Sequence, residues 1–226
     1  KKRKMKSKYE LLIWDVDGTL LDTSEGIISS AIYSIRKHSL DIPSEDVMKT
    51  FIGPPIQDSF QRVFKVKREE AMAMADDFRN YYKFKDLFKA KKYPHLDTTL
   101  NKITQMGVKQ VVATYKRQDY ANSIIDHFGL NKFMNIVCGA DFEGKLNKSD
   151  IIQKAISKSG VSELRKIVMV GDTVNDLTGA QNLKIDFIGV LYGFGFKEYD
   201  SINYPHTVGI IDSVEKIIPL LRGEEK

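Results

Sequence analysis

Residues 9 to 17, YELLIWDVD, set a near-continuous apolar run directly before two aspartates, Asp15 and Asp17, and Gly18-Thr19 follows at once. A run that is apolar at successive positions suits a strand buried on both faces, the environment of a parallel sheet covered by helices on either side. The texture recurs along the chain. KQVVAT ends at Thr114, MNIVCG comes next, RKIVMVGD ends at Asp172, and IDFIGV and HTVGII complete the series. Between these runs lie helix-like segments: residues 97 to 106 stopped by Gly107, then DYANSIIDHFGL, SDIIQKAISKSG, NDLTGAQNL and DSVEKIIPLL. In SDIIQKAISKSG the expected N-cap is Ser149 and the expected stop is Gly160. Such alternation predicts an α/β fold with a doubly wound, Rossmann-like parallel sheet and right-handed crossovers.

One block breaks the alternation. EGIISSAIYSIRKHSL carries apolar residues at helical spacing (Ile27 or Ile28, Ala31, Ile32, Ile35), and SFQRVF and EEAMAMADDFRNYYKFKDLFKA read as further helices. FIGPPIQDSF interrupts them, because Gly53-Pro54-Pro55 does not fit a helix interior. No strand pattern is visible in the block. The expected organisation is an α/β core formed by residues 9–21 and 92–226, interrupted by an all-helical cap over 22–91, with hinges at 19–23 and 90–94.

The chain has 226 residues, 42% hydrophobic and 29% charged, which is ordinary globular composition. Its net charge of +5 does not point to a nucleic-acid partner. Residues 1 to 8, KKRKMKSK, hold six basic residues and no acid, and subtracting those six from +5 leaves −1 for the rest. The excess is read as a basic, solvated leader outside the fold. No apolar stretch nears the roughly 20 residues that span a bilayer, and no cleavable signal pattern is present. With one cysteine, Cys138, there is no internal disulfide framework, and the default location is cytoplasmic.

Ligands of open parallel sheets bind beyond the carboxyl ends of the strands. Those ends carry Asp15 and Asp17, then Thr114, a loop leading to Lys148, and Asp172 with Asp176 close behind. Asp15 and Asp17 share one side of an extended segment, and a four-residue spacing on a helical turn puts Asp172 and Asp176 on one face. Four carboxylates brought together repel, and a hard cation that takes oxygen ligands, such as Mg2+, relieves the repulsion. Singly, each piece has a plain structural reading: an Asx-turn, a helix cap, a strand-ending threonine, a surface lysine. Their order along the chain argues for a site. A nucleotide-binding loop is excluded, since neither G-x-x-x-x-G-K-[ST] nor G-x-G-x-x-G occurs.

DVDGTLLD, VVATYK, NKSD and VGDTVNDLTGA resemble the four motifs of the haloacid dehalogenase superfamily, and the helical block sits where that superfamily carries its helical cap. FIGPP and GVLYGFG resemble the phosphoglycolate phosphatase-like branch. The resemblance implies a Mg2+-dependent phosphatase that hydrolyses a small phosphate monoester through an aspartyl-phosphate. Asp15 is then the nucleophile and Asp17 the general acid and base. Asp15, the backbone carbonyl of Asp17 and Asp172 would hold Mg2+, with Asp176 orienting from further out. Thr114 and Lys148 would bind phosphoryl oxygens, joined by Gly18 and Thr19, while Tyr115, Lys116, Gly53 and Pro54 would face the substrate. An acid at Asp17 favours a phosphatase or phosphomutase over a dehalogenase or transport ATPase. Pyrophosphatase, 5'-nucleotidase and β-phosphoglucomutase-like activities are alternatives within this class, and a phospho-accepting receiver domain is the alternative outside it. The implied partner is a small phosphate ester, with no nucleic acid and no membrane, and the protein is expected to be a monomer or homodimer. Arg62, Lys65 and Lys67 are the basic cap residues weighed for substrate contact, and a solvated helix face is the preferred reading for them. The chain departs from the family pattern at Tyr115, where Asn is common, at Trp14, where Phe is commoner, and at YPHL, which lacks the usual glycine of YPGV.

Overall fold

The computed structural model describes residues 7–134 and 136–222, with Asp200 through its backbone alone. In chain order its elements begin with β1 (Leu11–Trp14), β2 (Leu21–Asp22), α1 (Ser24–Lys37), α2 (Glu45–Lys49), α3 (Ile56–Phe64), α4 (Arg68–Tyr81) and β3 (Lys91–Lys92). Then follow α5 (Leu96–Gln105), β4 (Lys109–Arg117), α6 (Gln118–His127), β5 (Ile136–Ala140), α7 (Lys148–Ser159), β6 (Ile167–Gly171) and α8 (Val174–Leu183). The series closes with β7 (Asp186–Val190), β8 (Thr207–Ile211) and α9 (Ile217–Arg222).

Six strands form a parallel sheet in the order β5-β4-β1-β6-β7-β8. All four residues of β1 are buried, as a central strand covered on both faces requires. Successive side chains go to opposite layers. Leu11 and Ile13 join Ile151, Ile152 and Ala155 of α7 and Leu177 and Ala180 of α8. Leu12 and Trp14 join Leu100 and Ile103 of α5 and Ile217 of α9. Trp14 is wholly buried, and its indole N–H donates to Gln110 Oε1 at 3.1 Å, while Gln110 Nε2 donates to Leu100 O and Thr104 Oγ1. The buried indole therefore keeps its hydrogen bond.

Four segments differ from the sequence expectation. Strand β4 runs three residues past Thr114, with an irregularity between Ala113 and Arg117. Helix α7 is capped by Asn147, not Ser149: Asn147 Oδ1 accepts from Asp150 N at 3.0 Å, and Asp150 Oδ2 accepts from Asn147 N at 2.9 Å. Asp172 is not helical, because Thr173 is the N-cap of α8 and Asp176 lies in its first turn. At the edges of the helical block, β2 and β3 pair antiparallel, Leu21 with Lys92 and Asp22 with Lys91. The missing glycine of YPHL also has an outcome: His95 takes the left-handed conformation at φ 64°.

The inserted cap is built on α1 and α4. Ile27, Ala31 and Ile35 of α1 and Ala71, Met74, Ala75 and Phe78 of α4 are buried at helical spacing. Ser34 Oγ donates to Met74 O at 2.7 Å, and a π-helical turn (Tyr82–Asp86) follows α4. Cap and core share one continuous apolar cluster, and Tyr82 of the cap meets Lys116 near the carboxyl end of β4. Of the basic leader, Ser7 and Lys8 are tied to the last helix: Ser7 Oγ and Lys8 N both donate to Leu221 O. Residues 1–6 lie outside the described residues. Among the described residues no helix is long and apolar enough to cross a membrane.

Candidate active site

The chain runs outward through β4 and β5 on one side of β1, then returns to place β6 on the other side. The reversal opens a crevice beyond the carboxyl end of β1, where such folds bind ligands. Asp15 follows β1, Thr114 lies in β4 and Asp172 follows β6, so the topology brings them to this crevice. Lys148 arrives from the first turn of α7. Asp15, Asp17, Thr114, Lys116, Lys148, Asp172 and Asp176 are all buried.

Lys148 Nζ lies 2.7 Å from Asp15 Oδ1 and 2.8 Å from Asp176 Oδ1. Carboxylate oxygens of Asp15, Asp172 and Asp176 lie within 4.8 Å of one another. Asp176 Oδ2 accepts from Thr173 N at 3.1 Å and Thr173 Oγ1 at 2.9 Å, which fixes its rotamer. Asp172 Oδ2 accepts from Phe194 N at 2.7 Å and Gly195 N at 3.3 Å, whereas Asp172 Oδ1 is buried with no partner among the described residues. Two glycines make the approach possible. A Cβ on Gly18, which also has φ +79°, would collide with Asp172 Oδ2, and one on Gly171 would collide with the Asp176 carboxylate.

The two aspartates of the first motif have different partners. Asp15 is held by Lys148, while Asp17 Oδ1 accepts from Thr23 Oγ1 at 2.6 Å and lies 3.1 Å from Lys116 Nζ. Lys116 Nζ also donates to Tyr82 Oη of the cap at 2.8 Å. Burial pushes the Asp15 carboxyl well above the usual range; Asp176 adds to this and Lys148 opposes it. Burial, then the charge of Asp176, pushes Asp172 up to about 7. Burial disfavours charge on Lys148, but Asp15 and Asp176 outweigh it and hold the ammonium ionised. Asp17 and Tyr82 do the same for Lys116. Four buried carboxylates against two buried ammoniums leave a formal −2. Hard oxygen donors, an unpartnered Asp172 Oδ1 and a −2 deficit fit a divalent cation such as Mg2+.

The remaining expected residues are spread around these groups. Thr114 Oγ1 accepts from Lys116 N at 3.1 Å, which leaves its hydroxyl hydrogen free to donate. Gly18 N donates to Leu21 O and Thr19 N to Val16 O, so both N–H groups are committed inside the turn, while Thr19 Oγ1 is buried without a partner among the described residues. The Tyr115 hydroxyl accepts from Lys148 N at 2.9 Å, and Gly53 and Pro54 line a cavity between cap and core beside Asp17. Arg62 does not line that cavity and donates to Thr50 O and Thr50 Oγ1 at the cap surface. Sequence reading missed Tyr82, Gln57 and Arg79, which line the same cavity. A signal was available for two of them: Arg79 is four residues after buried Ala75, and Tyr82 is four after Phe78.

The likeness to known proteins agrees with this geometry. The protein is 30% identical over 191 residues to a phosphoglycolate phosphatase from Agrobacterium fabrum, covering 81% of each chain. It is 27% identical over 192 residues to a 5'-nucleotidase from Pseudomonas aeruginosa, covering 84% of this chain and 86% of that protein. Its fold superposes on the crystal structure of a predicted phosphatase from Clostridium acetobutylicum with a TM-score of 0.86 at 31% identity, covering 93% of this chain and 96% of that one. Since the family pattern itself matches residues 12–190, strand ends and cap included, the chain belongs to the haloacid dehalogenase-like hydrolases.

Proposed function

We propose that the protein is a Mg2+-dependent phosphatase acting on small phosphate monoesters through an aspartyl-phosphate. The carrying observation is that Asp15 and Asp17, two residues apart, have separate environments, which is how one residue type takes two roles. Asp15 attacks phosphorus as the P–O bond to the leaving group breaks, and Asp17 gives the departing oxygen its proton. Water then attacks phosphorus, Asp17 takes that water's proton, and Asp15 is released with inorganic phosphate. The Lys148 ammonium and the Thr114 hydroxyl supply donors for the equatorial oxygens, with the Thr19 hydroxyl close by in sequence. Asp15, the Asp17 carbonyl and Asp172 would hold Mg2+, with Asp176 bracing Lys148; when bound, the ion neutralises charge on the phosphoryl group. The cap over 22–91 excludes water from the site.

The test is Mg2+-dependent hydrolysis of p-nitrophenyl phosphate. Asp15→Asn abolishes it while circular dichroism stays that of the parent; full activity in that variant would overturn the nucleophile assignment. Asp17→Asn loses turnover yet still forms phosphoenzyme slowly from an activated donor. Equal rates of both steps in Asp17→Asn and parent would remove the acid–base role.

A further inference from the structure

The cavity beside Asp17 is partly open to solvent, and Phe51, Phe78, Tyr82 and Tyr120 give it a largely apolar wall.

Three cations reach the walls, and two are committed. Lys116 is held by Asp17 and Tyr82. Arg117 forks onto Asp119 at 2.7 and 2.8 Å and also donates to Tyr120 Oη at 2.7 Å. Arg79 differs. Its side chain is 14% exposed, and among the described residues its one carboxylate partner is Asp76, at 3.2 Å and itself 70% exposed. An ion pair to so exposed a carboxylate is weak, so the guanidinium keeps the capacity to meet a second anion. Arg79 Nη2 donates to Gln57 Oε1 at 2.8 Å, and Gln57 is buried. Gly144 (φ +67°), in the core loop after β5, lies so close that a Cβ there would sit 2.9 Å from Gln57 Nε2. The cap cation is thus fixed by a buried amide, and a core loop closes behind that amide. A shielded cation facing an apolar wall favours an anion brought by the ligand.

We propose that Arg79, positioned by Gln57, is the specificity-determining residue that binds an anionic group on the leaving half of the substrate, a carboxylate or a second phosphate. This rests on the phosphatase reading above. The test compares kcat/KM for phosphoglycolate and pyrophosphate with that for 2-hydroxyethyl phosphate, a neutral counterpart of similar size, using p-nitrophenyl phosphate as reference. The expected result is a preference of about tenfold or more for at least one anionic substrate. Whichever anion is preferred identifies the group. Arg79→Gln removes most of that preference, mainly through KM, and Arg79→Lys keeps part of it. Because the ratio cancels the fraction of active enzyme, a poorly folding variant still gives a reading. A parent without the preference, or a preference that survives Arg79→Gln, would overturn the proposal. Failure of the parent to hydrolyse p-nitrophenyl phosphate would instead overturn the phosphatase reading, and the proposal with it.

Discussion

The Tyr115 hydroxyl is aimed at the start of α7. It accepts the Lys148 N–H, and its ring lies 5.5 Å from Lys148 Nζ. Tyr115→Phe therefore removes one partner of a helix-terminal N–H, a loss of about 1 kcal/mol. In a chain of this size that lowers Tm by about 2–4 °C. The accompanying loss of activity falls on kcat, because Lys148 sits less firmly, with KM little changed. A variant with unaltered Tm and a raised KM would show instead that the tyrosine touches substrate. Gly171 makes a sharper case. Any Cβ there meets the Asp176 carboxylate, so Gly171→Ala displaces the group that braces Lys148. Losses from such supporting groups run to about 10–100-fold, and Mg2+ titration of the variant should show both lower kcat and a higher Mg2+ requirement. Unchanged values of both would mean that Asp176 is dispensable.

The long apolar runs were legible as strands because burial on both faces leaves a mark on every residue, and Gly107 and Gly160 end their helices at φ +81° and +75° as expected. Short or locally ambiguous elements were not. Strands β2 and β3 have two residues each, too few to show a period, and the π-helical turn at Tyr82–Asp86 has no periodic signature of its own. The choice between Asn147 and Ser149 as cap turned on Asp150, three residues after Asn147, which closes a reciprocal capping box. These elements matter because the turn delivers Tyr82 to Lys116, and β2 and β3 pair the two ends of the helical block. A hydrogen bond from a charged donor contributes about 1.5–3 kcal/mol. Tyr82→Phe removes it and should shift the cap toward opening by about tenfold or more. Trypsin reports this directly, since Lys91 and Lys92 form β3. Faster cleavage there in Tyr82→Phe than in the parent is the expected outcome. Equal cleavage at unchanged Tm would show that the Lys116–Tyr82 contact does not restrain the cap.

Across the whole molecule, the acids of the site could be named from their motifs, but their convergence depended on strand order. Asp15 and Asp172 meet, and Thr114 comes to the same end of the sheet, because β4 and β6 flank β1, an arrangement no local pattern encodes. Arg79 and Gln57 escaped for the same reason: their significance lies in where the cap is seated. That convergence also sets how stability responds to pH. Asp172 is pushed from its usual 3.8 up to about 7 by burial and by Asp176, and Asp15 is raised in the same direction. Between about pH 4 and 7 the folded protein without metal therefore binds a proton at Asp172 that the unfolded chain has released. Its contribution to stability is greatest below the unfolded value and declines as pH rises toward 7. A divalent cation binds the ionised carboxylates and competes with that proton, so its stabilisation grows through the same window. The rise in Tm produced by millimolar Mg2+ over EDTA should accordingly be larger at pH 8 than at pH 5.5. Asp172→Asn should remove most of that rise and flatten the decline of the metal-free protein. A Mg2+ effect equal at both pH values, or larger at pH 5.5, would mean that the buried carboxylates are not where the ion binds.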